Sequence, residues 1–486
     1  MKTYQDLVAV NEKNSEKDRM AFVQAAISEF KSSPEYRTAA DADQYYRHLN
    51  PTIMRAQKII HDVLGQRVTD PFSPNNKVPC RYFFYFVNQA VQYLLGNGVS
   101  FSKNIKKEKD PETGEETVVD QTKERLGDMF DHDLQRLTAQ ALCGGVAFGY
   151  WNNDHLEIYS LAGGDNMAAF VPLYDEENGA LRAGIRFWQI DDNKPLRAAL
   201  FEEDGVTEYI KKKGEEMKPM SDKRPYIEKV ATSEAAGEVV YDGENYPGFP
   251  VIPLYNVCHQ SELVGGKNSI DAYDLMMSGL INNVDEGNLL YWVIKNAGGM
   301  NDEDDMKFVE RLKNIHVAHT EGDEDIVPAQ LNQNVTPNQT ALELLCNQMF
   351  DDFMALDIKN IASGAATATQ IEAAYEPMNI KSNMLEAQVT EFVLNLLSLL
   401  GIDDYPSYQR DTLVNKDEEM RTLLSAAEHL SDEYVTKKAL TILGDIDSFS
   451  DVMSQKLRED TSRYETPKQT ENEEEETVPE AETVEE

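Results

Sequence analysis

Few residues of this chain have the types and spacing that a catalytic or metal-binding site needs. They are a run of four acidic side chains, a pair of histidines and two adjacent aspartates. These side chains are Asp302, Glu303, Asp304, Asp305, His316, His319, Asp351 and Asp352. The acidic run could hold a cation, but it lacks the central glycine and the final glutamate of a calcium loop. The adjacent aspartates lie on a predicted helix and point to different sides, which is poor geometry for acid–base catalysis. We interpret all three groups as solvated surface rather than as metal or catalytic sites.

The motifs for nucleotide binding and covalent catalysis are incomplete. Gly265-Gly266-Lys267 is the nearest approach to a phosphate-binding loop, but the first glycine of that motif and the serine or threonine after its lysine are missing. No G-x-S-x-G sequence occurs, and the four cysteines are too scattered to form a C-x-x-C pair. The sequence therefore predicts a protein that is not an enzyme and binds no cofactor, with free thiols in a reducing compartment.

Acidic residues outnumber basic ones by a wide margin. The 486 residues include 86 acidic and 46 basic side chains, which gives a formal net charge of −40. This balance argues against a protein that grips nucleic acid over its whole surface, because phosphate binding requires clustered lysine and arginine. A local basic stripe is still compatible with it. The hydrophobic share of 41% excludes a wholly disordered chain.

The apolar segments are short. The first residues, MKTYQDLVAV, lack the long apolar core of a signal peptide. The most apolar window, 392–400, is far shorter than the roughly 20 residues that a membrane-spanning helix requires. We therefore expect a soluble intracellular protein without a membrane segment.

Hydrophobic periodicity divides the chain into a helical beginning, a strand-rich region and a helical second half. The run 81–95 predicts a buried helix that ends at Gly96 and Gly98. Between 146 and 252 the period changes toward two, and Asp204-Gly205 between two alternating runs predicts a β-hairpin. The predicted fold class is therefore α+β, mainly helical.

Two long amphipathic helices bracket an acidic insert in the second half. We predict them over 269–296 and 337–359. A segment of small residues, 361–370, then precedes a third long helix in which Pro377 should cause a bend, since proline removes a hydrogen bond. Two or three short helices follow. The last 28 residues carry a net charge of −10 and almost no large apolar side chains, which predicts a disordered acidic tail.

This order of parts resembles the portal proteins of tailed bacteriophages, in particular those of long-tailed phages of Gram-positive hosts. Four segments carry the resemblance. They are the aromatic helix and its LLGNGVSF ending at 81–101, PVIPLYN at 250–256 leading into 271–285, IASGAATAT at 361–369, and LSDEYVTKKALTILGD at 430–445. Their order and spacing cover nearly the whole chain.

The resemblance implies a ring-forming portal fold with wing, stem, clip and crown. Its parts would be the wing (1–268), the first stem helix (269–296), the clip (297–336), the second stem helix (337–359), the tunnel loop (360–370), a kinked wing helix with its connection (371–411), the crown (412–458) and the disordered tail (459–486). The tunnel loop would lie at the narrowest point of the channel.

The resemblance also assigns two sets of functional residues. The tunnel loop would face DNA through Asn360, Ser363, Gly364, Ala365, Ala366, Thr367, Thr369 and Gln370. The clip would contact partner proteins through Asp302, Glu303, Asp304, Asp305, His316 and His319. Small side chains suit a loop that follows the duplex, and a surplus of carboxylates around the bore would keep contacts with phosphates short-lived.

The function that the resemblance implies is a channel for double-stranded DNA, which enters the capsid during packaging and leaves it during ejection. About twelve copies would form a closed ring at one capsid vertex, and a separate terminase motor would hydrolyse ATP. The partners would be the terminase large subunit, a head-completion or adaptor protein, and the major capsid and scaffolding proteins, in the host cytoplasm during assembly and then in the virion. The residues alone leave two other hypotheses open: a metal-dependent phage nuclease or nucleotide hydrolase, and an acidic intracellular adaptor.

Overall fold

The computed structural model describes two compact units of the chain. The described residues are 1–61, 66–70, 73–109, 116–163, 168–232, 239–287, 291–295, 325–329, 335–359, 368–410, 416–443, 449 and 452–456. Unit 1 comprises Met1–Asn360 and Ala374–Asp411, and unit 2 comprises Ile361–Ala373 and Thr412–Glu486. The acidic run, the histidine pair, the acidic tail and the tunnel-loop residues 360–367 lie outside the described residues.

The helices of the described residues include most of those that periodicity predicts. They are α1 (Tyr4–Glu12), α2 (Glu16–Lys31), α3 (Pro34–Tyr46), α4 (Pro51–Arg55), α5 (Tyr82–Leu95), α6 (Gln121–Leu126), α7 (Phe130–Gly144), α8 (Leu263–Gly287), α9 (Val335–Asp352), α10 (Ala368–Leu399), α11 (Lys416–Ala426) and α12 (Asp432–Leu443). Thr3, Ser15 and Ser33 cap the first three helices by accepting a hydrogen bond from the backbone N–H three residues on. The predicted buried helix over 81–95 is confirmed as α5.

The strand-rich region is confirmed as an eight-stranded sheet. The strands of the described residues are β1 (Ile59–His61), β2 (Arg67–Thr69), β3 (Val99–Phe101), β4 (Ile105–Lys109), β5 (Glu116–Asp120), β6 (Val146–Asn152), β7 (His155–Ser160), β8 (Ala168–Tyr174), β9 (Leu181–Trp188), β10 (Leu196–Glu202), β11 (Gly205–Lys211), β12 (Lys218–Pro219), β13 (Ile227–Thr232), β14 (Val239–Glu244), β15 (Val251–Tyr255), β16 (Tyr291–Lys295), β17 (Asp325–Ala329) and β18 (Pro406–Tyr408). The large sheet has the order β12-β11-β10-β9-β8-β7-β6-β15, and the remaining strands form two-stranded sheets. Its neighbours are antiparallel except β7 and β8. The predicted hairpin is confirmed, with Glu202 opposite Gly205, whose φ of +141° suits glycine.

Two hydrophobic cores stabilise unit 1. One lies among α3, α5, α7, α8, α9 and α10 and includes Phe86, Phe353 and Phe392. The other is formed by residues of α1, α2 and the large sheet and includes Phe30 and Phe170. Because α8, α9 and the part of α10 that belongs to unit 1 all contribute to the first core, that core fixes their relative positions.

The prediction of a helix over 269–296 is wrong at both ends. α8 begins earlier, at Leu263, and ends at Gly287. Residues 291–295 form β16, which pairs antiparallel with β17. Their sequence, YWVIK, consists mainly of aromatic and β-branched residues that suit a strand, and pairing with a distant segment overrides the helical period that precedes them.

The second long helix is shorter than predicted. α9 begins at Val335 and ends at Asp352 rather than at residue 359. Met354 follows in the left-handed region, with φ of +50°, a conformation that interrupts a right-handed helix. The segment that leads toward the predicted tunnel loop is therefore an ordered turn and not a continuation of the helix.

The third long helix begins inside the predicted tunnel loop. α10 starts at Ala368, so Thr369 and Gln370 lie in its first turn, and Gln370 is exposed. Helix formation extends back to these residues because alanine and glutamine are good helix formers. The 32-residue helix continues on both sides of Pro377. In the part of the chain that the structure describes, neither α10 nor any other helix is both long and apolar enough to cross a bilayer.

Unit 2 contains the compact helices that the sequence predicts. α11 and α12 pack against each other, and Leu423 and Ile442 are buried. Ser431 caps α12, since its Oγ accepts a hydrogen bond of 3.3 Å from the backbone N–H of Tyr434.

Candidate functional site

The two helices that bracket the acidic insert lie side by side in opposite directions. Ser269, near the beginning of α8, donates a hydrogen bond of 3.2 Å from its Oγ to Oδ2 of Asp352, the last residue of α9. Gly266 contacts the ring of Phe353 so closely that an added Cβ would lie 2.1 Å from Cε2. Glycine at this position therefore allows the beginning of α8 to approach the end of α9.

Lys381 of α10 joins the beginning of α8 to the end of α9. Its Nζ donates to Oε2 of Glu262, one residue before α8, and to the carbonyl oxygen of Phe353, one residue after α9, both at 2.9 Å. The ammonium group lies 5.9 Å from the centre of the Phe353 ring. A cation at the carboxyl end of a helix is favoured by the helix dipole. We name Glu262, Gly266, Phe353 and Lys381 the helix junction.

Aromatic rings from α5 surround the helix junction. Phe353 is stacked on Phe86 with ring centroids 4.6 Å apart, and Phe83 lies 6.1 Å from it. Phe350 meets Phe86 edge to face at 5.2 Å. Such pairs add about 1 kcal/mol each beyond the burial of their surface. The aromatic character of α5 thus serves to hold the end of α9 and the residue that follows it.

A side-chain amide of α5 fixes the turn after α9. Gln89 donates from Nε2 to the carbonyl oxygen of Leu356 and accepts at Oε1 from the N–H of Leu356, both at 2.9 Å. The Gln89 side-chain amide takes the place of a backbone peptide group and pairs with both the N–H and the carbonyl oxygen of Leu356. The chain is therefore anchored four residues before Asn360, where the predicted tunnel loop begins.

Residues 73–80, which we name the strap, run beside α8 in the opposite direction. Three strap N–H groups donate to side chains of α8: Asn76 to Asn282 (2.7 Å), Val78 to Ser278 (3.0 Å) and Cys80 to Asp274 (2.9 Å). Alternate residues of an extended chain are about 6.6 Å apart, and residues four apart on a helix are about 6 Å apart, so the two repeats nearly match. The strap therefore fixes α8 along three successive turns.

Asp274 is the buried end of this ladder of hydrogen bonds. Its side chain is 0% exposed and accepts 2.8 Å and 2.9 Å hydrogen bonds from Asn50 Nδ2 and the N–H of Cys80. Burial raises the pKa of the Asp274 carboxyl above its usual range, although these hydrogen bonds oppose the shift. Burial also raises the pKa of the Cys80 thiol, helped by the nearby Asp274.

Replacing Asp274 by asparagine should destabilise the protein most at low pH. The new amide would oppose the amide of Asn50, and leaving such buried donors unpaired costs about 1–3 kcal/mol. Because the pKa of Asp274 is raised on folding, its carboxyl favours the folded state fully below about pH 4, and this contribution is lost as the pH rises through the raised pKa. The loss caused by Asp274→Asn should therefore be larger at pH 4 than at pH 7 in urea unfolding.

The exposed Asp285 provides a control for this prediction. It accepts a hydrogen bond from Asn76 Nδ2 at 2.7 Å on the same side of α8. Asp285→Asn should change the urea midpoint less than Asp274→Asn, because substitutions at exposed positions usually change the free energy of unfolding little. A loss for Asp274→Asn that grows between pH 4 and pH 7 would contradict the role of burial.

The structure does not bring the chemically interesting residues of the sequence together. Asp351 is exposed, and Asp352 is engaged by Ser269 and, at 2.6 Å, by Gln348. Among the described residues there is no cluster of three or more histidine, cysteine, aspartate or glutamate side chains that could hold a metal ion. The roles of the predicted clip residues and of tunnel-loop residues 360–367 remain predictions, because these residues lie outside the described part.

The helix junction and the strap are absent from the sequence-based prediction. One signal for the strap exists: Asp274, Ser278 and Asn282 place hydrogen-bond acceptors four residues apart on an otherwise amphipathic helix. For Lys381 a weaker signal exists, since it is the only basic residue of the 32-residue α10. Its partners are 119 and 28 residues away in the sequence, and no local pattern reveals them.

Comparison with known proteins supports the resemblance that the sequence suggests. The family described as "Phage portal protein, SPP1 Gp6-like" matches residues 31–442. The portal protein of Bacillus phage SPP1 is 23% identical over 359 residues, which cover 71% of this chain and 66% of the phage protein, just under two thirds of its length. The portal protein of Clostridium phage phiCD119 is 23% identical over 394 residues, which cover 76% of this chain and 80% of that protein.

Among solved structures, similar chains occur in gene transfer agent particles. A chain from the neck of the empty particle has a TM-score of 0.40 and 13% identity, with 75% of this chain and 90% of that chain covered. A chain from the virion of the native particle has a TM-score of 0.38 and 13% identity, with 74% and 89% covered. The family match over residues 31–442 includes α8, α9, α10 and the helix junction that joins them, and the chain therefore belongs to the phage portal protein family of the SPP1 Gp6-like type.

Proposed function

We propose that about twelve copies of this chain form a closed ring at one capsid vertex and that double-stranded DNA passes through the ring during packaging and ejection. Membership of the portal family over residues 31–442 carries this proposal. In the same proposal, with the helix bounds that the structure gives, residues 1–262 and 371–411 form the wing, α8 and α9 the stem, 297–334 the clip and 412–458 the crown. The chain itself hydrolyses no nucleotide and binds no cofactor.

The charge of the paired helices supports a passage rather than a binding site for DNA. α8 and α9 together have seven acidic residues and one basic residue, Lys267. Lys267 already pairs with Asp41 at 3.2 Å. Since each lysine or arginine that neutralises a phosphate adds binding free energy, helices without available cations do not retain a moving duplex.

The turn before residue 360 is held in place by hydrogen bonds. This favours the proposal that the loop which begins at residue 360 lies at the narrowest point of the channel. Leu356 is fixed by Gln89, and Lys381 fixes the carbonyl oxygen of Phe353. The chain directly before the proposed tunnel loop is thus fixed to α5 and α10. We assign the DNA contacts to the tunnel-loop residues named above and the contacts with the terminase large subunit and the adaptor protein to the acidic run, His316 and His319. Major capsid and scaffolding proteins are the remaining partners of the proposal.

Electron microscopy of the purified protein tests the proposed ring. We expect rings of about twelve copies, and we expect them to form more readily as ionic strength rises, because salt screens the repulsion between chains of charge −40. Class averages should show a central channel. Monomers alone over the whole range of ionic strength would contradict the proposal.

A further inference from the structure

One segment of this acidic protein is basic. Between Arg47 and Arg81 the sequence has six basic and two acidic residues, a net charge of +4, which leaves −44 for the rest of the chain. The described residues of this segment are 47–61, 66–70 and 73–81, and they include α4, the β1–β2 hairpin and the strap. We name these residues the basic lobe.

The basic lobe exposes cations next to apolar side chains. Arg55 and Arg67 are exposed, and neither forms an ion pair with another residue within the described ranges. Met54, Ile59 and Val68 are large apolar residues that are 50%, 54% and 38% exposed. A surface that combines arginine with exposed apolar groups is typical of a protein–protein interface.

The outward face of α9 has the complementary character. Glu343, Leu344, Asn347 and Asp351 are exposed and lie on one side of the helix, and Leu344 is 64% exposed. The helix contains three acidic residues and no basic residue. It therefore offers carboxylates and an apolar side chain to a basic, partly apolar partner.

The basic lobe and α9 occupy different sides of α8. The strap contacts α8 at Asp274, Ser278 and Asn282, whereas α9 and the turn after it contact α8 at Gly266 and Ser269. At about 100° per residue, the centres of these two sets lie roughly 150° apart around the helix. Two complementary surfaces on different sides of one element favour head-to-tail contact between copies, the kind of interface that closes into a ring.

We propose that the basic lobe of one copy binds the outward face of α9 on the next copy, with Arg55 and Arg67 facing Glu343 and Asp351. This inference rests on the proposed ring. It explains how chains of charge −40 can associate: the positive part of each copy is placed against a negative helix of its neighbour. The exposed apolar residues of both surfaces are covered in the same contact.

Charge exchange between the two surfaces tests the inference. Arg55→Glu with Arg67→Glu, and separately Glu343→Lys with Asp351→Lys, should each reduce the ring fraction about tenfold or more in mass photometry, measured at the lowest ionic strength at which the unaltered protein forms rings, because like charges then face each other. The chain that carries all four substitutions should regain rings. Arg197→Glu with Lys212→Glu, which reverses one exposed cation of β10 and one directly after β11, should leave the ring fraction unchanged.

Three results would overturn the inference. The first is a normal ring fraction in either double variant. The second is a fourfold variant that is folded but does not regain rings. The third is an Arg55→Glu, Arg67→Glu chain that forms normal rings but no longer binds a labelled DNA duplex. The last result would identify phosphate as the partner of the basic lobe. The unaltered protein is measured in parallel. A ring fraction that these substitutions do not change would contradict only this interface. Absence of rings in the unaltered protein would contradict the proposed function. Circular dichroism verifies that each variant is folded.

Discussion

Replacing Lys381 by methionine is expected to lower the free energy of unfolding by about 3 kcal/mol, since removing one partner of a buried ion pair leaves the other without compensation. The Lys381 side chain is 9% exposed. Methionine preserves much of its apolar length but leaves the Glu262 carboxylate and the carbonyl oxygen of Phe353 without their shared donor. Urea unfolding followed by far-UV circular dichroism at low protein concentration measures the change.

Two further variants show whether the loss comes from the helix junction. Glu262→Gln should lower the free energy of unfolding less than Lys381→Met. The double variant should lower it by less than the sum of the two, because the two side chains form one ion pair. Lys103→Met removes an exposed pair with Asp403 and should have little effect. Equal losses for Lys103→Met and Lys381→Met would refute the importance of the buried ammonium.

Replacing Ala366 by tryptophan is expected to abolish DNA packaging while ring assembly continues. Under the proposed function, this residue faces the duplex at the narrowest point of the channel, where an indole ring would obstruct passage. The measurement is the amount of nuclease-protected DNA in particles assembled with the variant, together with electron microscopy of its rings. Normal packaging by this variant would refute the assignment of the tunnel loop.

Two other substitutions at the same position separate bulk from charge. Ala366→Ser keeps a small side chain and should package normally. Ala366→Lys should package more slowly than the unaltered protein, because a lysine that neutralises a phosphate retards movement along the duplex. Equal effects of lysine and serine would indicate that this residue does not meet phosphates.

Elements with strong local signals could be predicted from the sequence. α5 follows from its aromatic run and terminal glycines, and the hairpin at Asp204-Gly205 follows from its turn residues between alternating runs. The cap at Ser431 is likewise a local feature. In each case the residues that determine the element are neighbours in the chain, so pattern and propensity suffice.

The rest depends on contacts between distant residues. The end of α8 and the beginning of β16 are set by pairing with β17, some 30 residues further on. α9 ends where Lys381 and Gln89 bind the backbone beyond it. The family could be identified from the order of segments, but the helix junction could not, because the partners of Lys381 are 119 and 28 residues away in the sequence.

The hydrogen bonds between the strap and α8 restrict the amino-acid sequences of these two segments to different extents. The strap contributes peptide N–H groups, which every residue except proline provides, whereas α8 contributes side chains. At this contact Val78 can change to most other residues without loss, but a change of Ser278 to an apolar residue removes an acceptor. Related portal proteins should therefore diverge in the strap while they retain polar residues every fourth position on the helix.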